Sequence, residues 1–122
     1  MKVVEKGRAV TKYFLDQNYV RLVRREIASI ARTMLCKERS YLCGARRISL
    51  LTYAIATENA DSDLAVFAIV EMETAHLPLG DTIQHEGVQA LADLQGEMEM
   101  AELWARMSCE LACASLVARF GD

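Results

Sequence analysis

Two residues near the middle of the chain have the spacing of a metal-binding pair. Glu73 and His76 are three positions apart, a step that on a helix turns a carboxylate and an imidazole toward one metal, as in ferritin-like di-iron bundles. Such a site needs two pairs of this kind and two further glutamates, whereas only one pair occurs here. Pro78 also ends the helix just beyond it. The sequence therefore predicts that Glu73 and His76 bind backbone groups around a turn.

The four cysteines are a second set of residues with possible chemistry. Cys109 and Cys113 are four positions apart and share one helix face, whereas six residues separate Cys36 from Cys43. Structural zinc sites usually use cysteine pairs about two to four residues apart. We therefore expect reduced thiols that act as small buried core residues. A metal or redox role of the cysteines together with His76 is the least favoured alternative.

Asp81, His85 and Glu86 could form an acid and base pair for catalysis. One histidine near two carboxylates is a common coincidence and does not by itself indicate catalysis. The sequence has no nucleophile elbow, no P-loop and no glycine-rich loop that binds phosphate. It predicts a protein that is not an enzyme, with no cofactor and no bound metal.

The charge of the chain is divided sharply between its two parts. Residues 1–50 carry 12 Lys and Arg against 4 Asp and Glu, a net charge of +8, while residues 51–122 carry 2 against 13, a net charge of −11. One interpretation is structural: the basic early helices lie beside the acidic last helix. The other is functional: a basic face binds nucleic acid, or an acidic face binds a basic protein. The predicted basic face is Arg21, Arg24, Arg25, Arg46 and Arg47, and the predicted acidic face is Asp93, Glu97, Glu99 and Glu102.

Apolar residues recur at three- and four-residue spacing along most of the chain, which predicts amphipathic helices. The run 64–70 is apolar all round, and we assign it to a helix because no second strand-like run exists to pair with it. Residues 1–15 have a weak pattern and are predicted to be a frayed lead-in. The first predicted helix begins at Asp16 or Asn18 and ends near Arg39. The second spans about 41–56 with Ser40 as its cap, the third spans 62–75 with Asp61 or Asp63 as its cap, and the last spans 88–118.

A short segment before the last helix is predicted to turn the chain. Pro78, the only proline, has no N–H and disfavours helical geometry at Leu77. Gly80 permits a left-handed backbone. We call this segment the hinge and define it by Glu73, His76, Pro78 and Gly80.

The predicted last helix carries two neighbouring apolar rows, which suggests contacts on two of its sides. Small side chains on this helix would let another helix approach closely, either within the chain or across a dimer. The first row is Leu91, Leu94, Met98, Ala101, Ala105, Ser108 and Ala112, and the second is Leu103, Trp104, Met107, Leu111 and Ala118.

Length and composition predict one small helical domain. The chain has 122 residues, of which 52% are hydrophobic, enough for one core. Its longest apolar run, 64–70, is short against the roughly 20 residues of a membrane-spanning helix. The first residues mix charges without the apolar stretch of a signal peptide. We expect an all-α bundle of about four helices, with the hinge before a long C-terminal helix, in the cytoplasm.

Five short motifs follow one another in residues 40–100: Gly-Ala-Arg-Arg-Ile-Ser-Leu-Leu from residue 44, Asp-x-Asp-Leu from residue 61, Val-Phe from residue 66, Glu-Thr-x-His-Leu-Pro-x-Gly from residue 73 and Ala-Leu-x-Asp from residue 90. Their order resembles that in a family of short bacterial cytoplasmic proteins of unknown function, and the motif from residue 73 is the most specific. The chain departs from the pattern at residues 85–87, where an aromatic or polar cap is expected. The resemblance implies a compact helical domain and no particular activity.

The leading functional hypothesis is a non-enzymatic protein-interaction module, of the immunity or adaptor kind, that binds an unknown protein or associates with itself. Its acidic last helix would cover a basic partner. The alternative is a nucleic-acid-binding protein that uses the basic N-terminal helices, although no aromatic residues are interleaved with the arginines. No membrane partner is predicted.

Overall fold

All secondary structure in the part of the chain that the structure describes is helical. The structure is a computed structural model, and it describes residues 17–55, 61–79 and 87–121. This confirms the predicted all-α fold with a long C-terminal helix. The predicted lead-in 1–15, Gly80 and the segment 81–86 lie outside the described residues. The helices are α1 (Gln17–Leu35), α2 (Tyr41–Ala54), α3 (Ser62–Glu73) and α4 (Val88–Phe120).

Helix α1 ends at Leu35, earlier than the predicted end near Arg39. Lys37 has a φ of 66°, in the left-handed region. The N–H of Glu38 donates to the carbonyl of Thr33 at 2.9 Å, and that of Lys37 donates to Met34 at 3.1 Å. These bonds form the Schellman motif that commonly ends helices. The prediction of this end was wrong because the left-handed residue is a lysine, whereas glycine and asparagine are the usual signals.

The predicted starts of α2 and α3 are confirmed by their caps. The hydroxyl of Ser40 accepts the N–H of Cys43 at 3.0 Å, and the carboxylate of Asp61 accepts the N–H of Asp63 at 3.1 Å. Both side chains supply acceptors to helix N–H groups that have no partner within the helix. Both helices end about two residues before their predicted ends.

All four helices contribute to one core, and α4 contacts each of the other three, α1 most extensively. The small residues Ala105, Cys109, Ala112 and Cys113 are buried within this core. They therefore serve the close packing of α4 inside the chain, the first of the two arrangements that the sequence allowed. The largest fully buried side chains are Ile27, Ile30, Met34, Ile48, Ile55, Phe67, Val70 and Leu116.

A close crossing of α1 and α2 explains Gly44 inside a helix. A Cβ atom at Gly44 would overlap the side chain of Met34, with Cγ at 2.6 Å. Met34 is fully buried and cannot turn away into solvent. The glycine thus allows the two helices to meet at this point.

None of the helices in the described ranges is both long enough and apolar enough to cross a membrane.

Candidate functional site

Arg46 holds the hinge from the side of α2. Its Nη2 donates to the carbonyl of Thr74 at 2.5 Å and to that of Leu77 at 3.0 Å. These carbonyls lie just beyond the last residue of α3, where a cation is favoured by the helix dipole. Arg46 was predicted to belong to the basic face, but its partly buried guanidinium fixes the hinge instead.

His76 holds the hinge from the side of α4. Its Nε2 lies 2.6 Å from Oε2 of Glu97, and each side chain is more than half exposed. The prediction that His76 binds backbone groups was therefore wrong, because a carboxylate of the last helix comes within reach. Leu77 and Pro78 are buried at this turn, whereas Glu73 is exposed. The hinge is thus a structural connection between α2, α3 and α4.

Glu102, predicted as part of the acidic face, caps the start of α2. Its carboxylate accepts the N–H of Tyr41 at 2.7 Å and the N–H of Leu42 at 3.1 Å. A carboxylate at this end of a helix is favoured by both the free N–H groups and the helix dipole. The side chain is partly buried, so it serves the fold and is not part of an open acidic surface.

The other predicted acids, Asp93, Glu97 and Glu99, are exposed on the first half of α4. Asp93 accepts a hydrogen bond from Gln89 at 3.0 Å, and Glu99 accepts one from Gln95 at 3.3 Å. Both donors precede their acceptors by four positions on the same helix face. These three acids form what we call the acidic segment.

Arg21, Arg24, Arg25 and Arg47 are exposed, as predicted for a basic face. Within the described ranges, no salt bridge joins these arginines to an acid of α4. The guanidinium of Arg24 lies 5.3 Å from the centre of the Phe120 ring, a cation–π distance. The structural interpretation of the charge division is therefore not supported: α1 and α4 pack together, but their exposed charges do not pair.

A charged cluster joins the start of α3 to the end of α4, and sequence reasoning missed it. Arg119 contacts Asp61 at 2.7 Å and Asp63 at 2.8 Å, and the Ser115 hydroxyl donates to Asp63 at 2.6 Å. The hydrogen bond from Arg119 holds the pKa of Asp61 below its usual value. The only sequence signal was the assignment of Asp61 or Asp63 as a cap, which says nothing of a partner more than 50 residues later.

The second apolar row of α4 is exposed along its length. We call its large residues Leu103, Trp104, Met107 and Leu111, together with Met100, the apolar row. The other helices cover the side of α4 that carries Ala105, Cys109 and Cys113, so the expected contacts on two sides are found on one side only. The exposed fractions are 67% for Met100, 48% for Leu103, 40% for Trp104, 73% for Met107 and 86% for Leu111.

An open groove of about 880 Å³ runs between α4 and the α1–α2 connection. Its walls include Leu103 of the apolar row, Glu99 of the acidic segment and the capping residue Glu102. Tyr41, which also lines it, has a phenol whose pKa is raised by burial. The groove thus adjoins both the apolar row and the acidic segment.

The four cysteines fall into two classes. Cys109 and Cys113 are buried, as predicted, and burial raises the pKa of each thiol to about 12. Cys36 and Cys43 are exposed, so the prediction of burial was wrong for them. In the part of the chain that the structure describes, no three His, Cys, Asp or Glu side chains are grouped as metal ligands.

Comparison with known proteins gives no match to a family model, to a curated protein or to a solved structure. The resemblance based on the hinge motif therefore stays a prediction.

Proposed function

We propose that this chain is a non-enzymatic protein-interaction module that binds its partner through α4. One observation carries this proposal: the apolar row is exposed on a helix whose other side is packed into the core. Methionine, tryptophan and leucine bind well to apolar surfaces of a partner, and methionine adapts its shape to them.

The exposed area is large for a chain of this size. The five exposed fractions together equal about three whole large side chains, or about 600 Å² at about 200 Å² each. The largest apolar patch on a typical monomer is about 300–600 Å² and is often functional. Covering such a patch supplies the main favourable free energy of association.

The acidic segment lies directly upstream on the same helix. Asp93, Glu97 and Glu99 are exposed. Within the described ranges, the exposed arginines of α1 form no salt bridge with them. A negative surface beside an apolar one favours a partner with basic residues and increases the rate of encounter at low salt. The proposed interface therefore combines apolar contact with selection by charge.

The proposal is tested by capture of proteins from a soluble cell extract on the immobilised full chain at low salt. Met107→Glu with Leu111→Glu places charges in the apolar row and should abolish capture. Met72→Glu is the matched control, since Met72 is 68% exposed but lies on α3. Glu97→Lys with Glu99→Lys should weaken capture of any basic partner. Capture that is equal for the wild type and the apolar-row variant would contradict the proposal.

Binding of nucleic acid is the second candidate function, and one observation favours it. Arg21 and Arg25 are exposed on α1, and within the described ranges neither forms a salt bridge. Fluorescence anisotropy with labelled duplex DNA and RNA tests whether the chain binds nucleic acid. Binding that weakens steeply with added salt and is lost in Arg21→Glu with Arg25→Glu would support this candidate. Failure to bind at low salt would remove it.

A further inference from the structure

We propose that the partner of the apolar row is a second copy of this chain, held by antiparallel pairing of two α4 helices. This inference rests on the proposed function, because it identifies the partner of the same surface. It is carried by the spacing of the exposed residues, by the charges that continue the row and by its area.

The spacing is that of a coiled-coil seam. Exposed residues of α4 alternate between steps of four and three positions, the a and d pattern of a heptad repeat. Such a row stays on one side of a helix and packs against a matching row on a second helix. The residues in this register are Met100, Trp104, Met107, Leu111, Ala114 and Ala118, and all of them are exposed.

The same register continues upstream to Glu97 and Asp93, and these acids select the direction of pairing. In a parallel pair, each acid would lie beside the same acid of the other copy, and like charges at a seam destabilise it. In an antiparallel pair centred between Trp104 and Met107, Glu97 lies opposite the partner's Ala114 and Asp93 lies opposite the partner's Ala118. Alanine leaves room for Glu97 to keep its contact with His76 and for the carboxylate of Asp93 to reach solvent.

Antiparallel pairing also matches the large residues with one another. About the same centre, Met100 lies opposite the partner's Leu111, and Trp104 lies opposite the partner's Met107. Each residue at heptad position a thus lies opposite a residue at position d of the partner, and two-fold symmetry repeats both contacts. The dipoles of the two helices oppose each other, which further favours this direction.

The area is sufficient for a specific dimer. The large seam residues Met100, Trp104, Met107 and Leu111 together expose about 530 Å² on each copy, at about 200 Å² for a whole side chain. Two copies give a total of about 1,060 Å², just above the roughly 1,000 Å² that a biological interface needs. The row includes Trp104, 40% exposed, and tryptophan is among the residues that contribute most to binding. Such an interface supports a dimer that exchanges with monomer.

The oligomeric state of the full chain tests the proposal, by sedimentation velocity over a wide range of concentration. We expect a monomer–dimer equilibrium, with a blue shift of the Trp104 emission as the dimer forms, since Trp104 is the one tryptophan of the chain. Met107→Glu should raise the dimer Kd by about 100-fold or more. Met72→Glu should leave the Kd unchanged.

The antiparallel direction of the two α4 helices is tested by disulfide cross-linking. The variants are made in a background with Cys36→Ser and Cys43→Ser, which removes the exposed thiols. A mixture of Met100→Cys and Leu111→Cys chains should form a cross-linked heterodimer, while Leu111→Cys alone should not cross-link. Cross-linking of Leu111→Cys alone at high yield would overturn the antiparallel arrangement.

Failure of this inference is distinguishable from failure of the proposed function. A wild type that stays monomeric at all concentrations, or a dimer unaffected by Met107→Glu, would overturn pairing through α4. If Met107→Glu with Leu111→Glu still abolished capture of another protein, the proposed function would stand with a different partner.

Discussion

Gly44 and Gly96 both lie inside helices, but their surroundings give them opposite energetic effects. A side chain at Gly44 would collide with buried Met34, whereas a Cβ at Gly96 meets nothing within 4 Å. Alanine is the better helix former by about 1 kcal/mol at either position. Only at Gly44 does packing against a neighbouring helix outweigh that preference.

We therefore expect Gly44→Ala to lower the free energy of unfolding by about 1–3 kcal/mol, since the overlap must be relieved by moving core side chains or helices. Gly96→Ala is the matched control and should raise the free energy of unfolding by about 0.5–1 kcal/mol. Urea unfolding followed by circular dichroism measures both changes. A Gly44→Ala variant as stable as the wild type would contradict the close crossing.

At the scale of the helix, the start of α2 depends on a residue of α4. Two N–H groups of its first turn donate to Glu102, and a third donates to Ser40. The local cap was predicted from the sequence, but the distant one was not, because nothing in the order of residues indicates which helix passes the end of another.

Glu102→Ala is expected to lower the free energy of unfolding by about 1–3 kcal/mol, because it leaves two partly buried N–H groups without an acceptor. Glu99→Ala removes an exposed acid one turn earlier and should change the free energy of unfolding by less than about 0.5 kcal/mol. Thermal or urea unfolding of the two variants gives the comparison. Equal effects of the two substitutions would show that the cap adds nothing to stability.

Hydrophobic periodicity and capping residues were sufficient to predict the four helices of the described ranges, the starts of α2 and α3, and the long last helix. Helix ends were less well predicted, because Lys37 adopts a conformation that its side chain does not favour. The second row of α4 was recognised as apolar, but periodicity shows only that a face is apolar and not whether another helix covers it. Arg46 and Glu102 were assigned to charged faces because their backbone partners are distant in sequence.

At the scale of the whole molecule, the exposed arginines of α1 form no salt bridge with the acidic segment within the described residues. Exposed arginines occupy α1, and the acidic segment occupies the first half of α4. Because these exposed charges do not pair with one another, the association of this chain with charged partners is expected to depend on ionic strength. The ion pairs that do form at Asp61, Asp63 and Arg119 join the ends of α3 and α4.

The four thiols report on the integrity of the whole fold. We expect Cys36 and Cys43 to react rapidly with a disulfide reagent at pH 8. Cys109 and Cys113 should react only on unfolding, because they are buried and a pKa of about 12 keeps them protonated. The number of cysteines that react is measured, with and without denaturant, from the amount of thiolate that the disulfide reagent releases.

The variant with Cys36→Ser and Cys43→Ser is the control for this measurement and should show no rapid reaction in the native state. A third or fourth thiol that reacts rapidly in the wild type would contradict the burial of Cys109 and Cys113.

The contact between Tyr41 and Glu102, 61 positions apart, also has a consequence for the order of events during synthesis. When α1, α2 and α3 have just left the ribosome, the residue that completes the first turn of α2 is still inside it. The core at that stage also lacks Ala105, Cys109 and Leu116 of α4. Native packing therefore has to wait for the last third of the chain, and nascent chains that stop before residue 102 expose apolar surface that the finished protein buries.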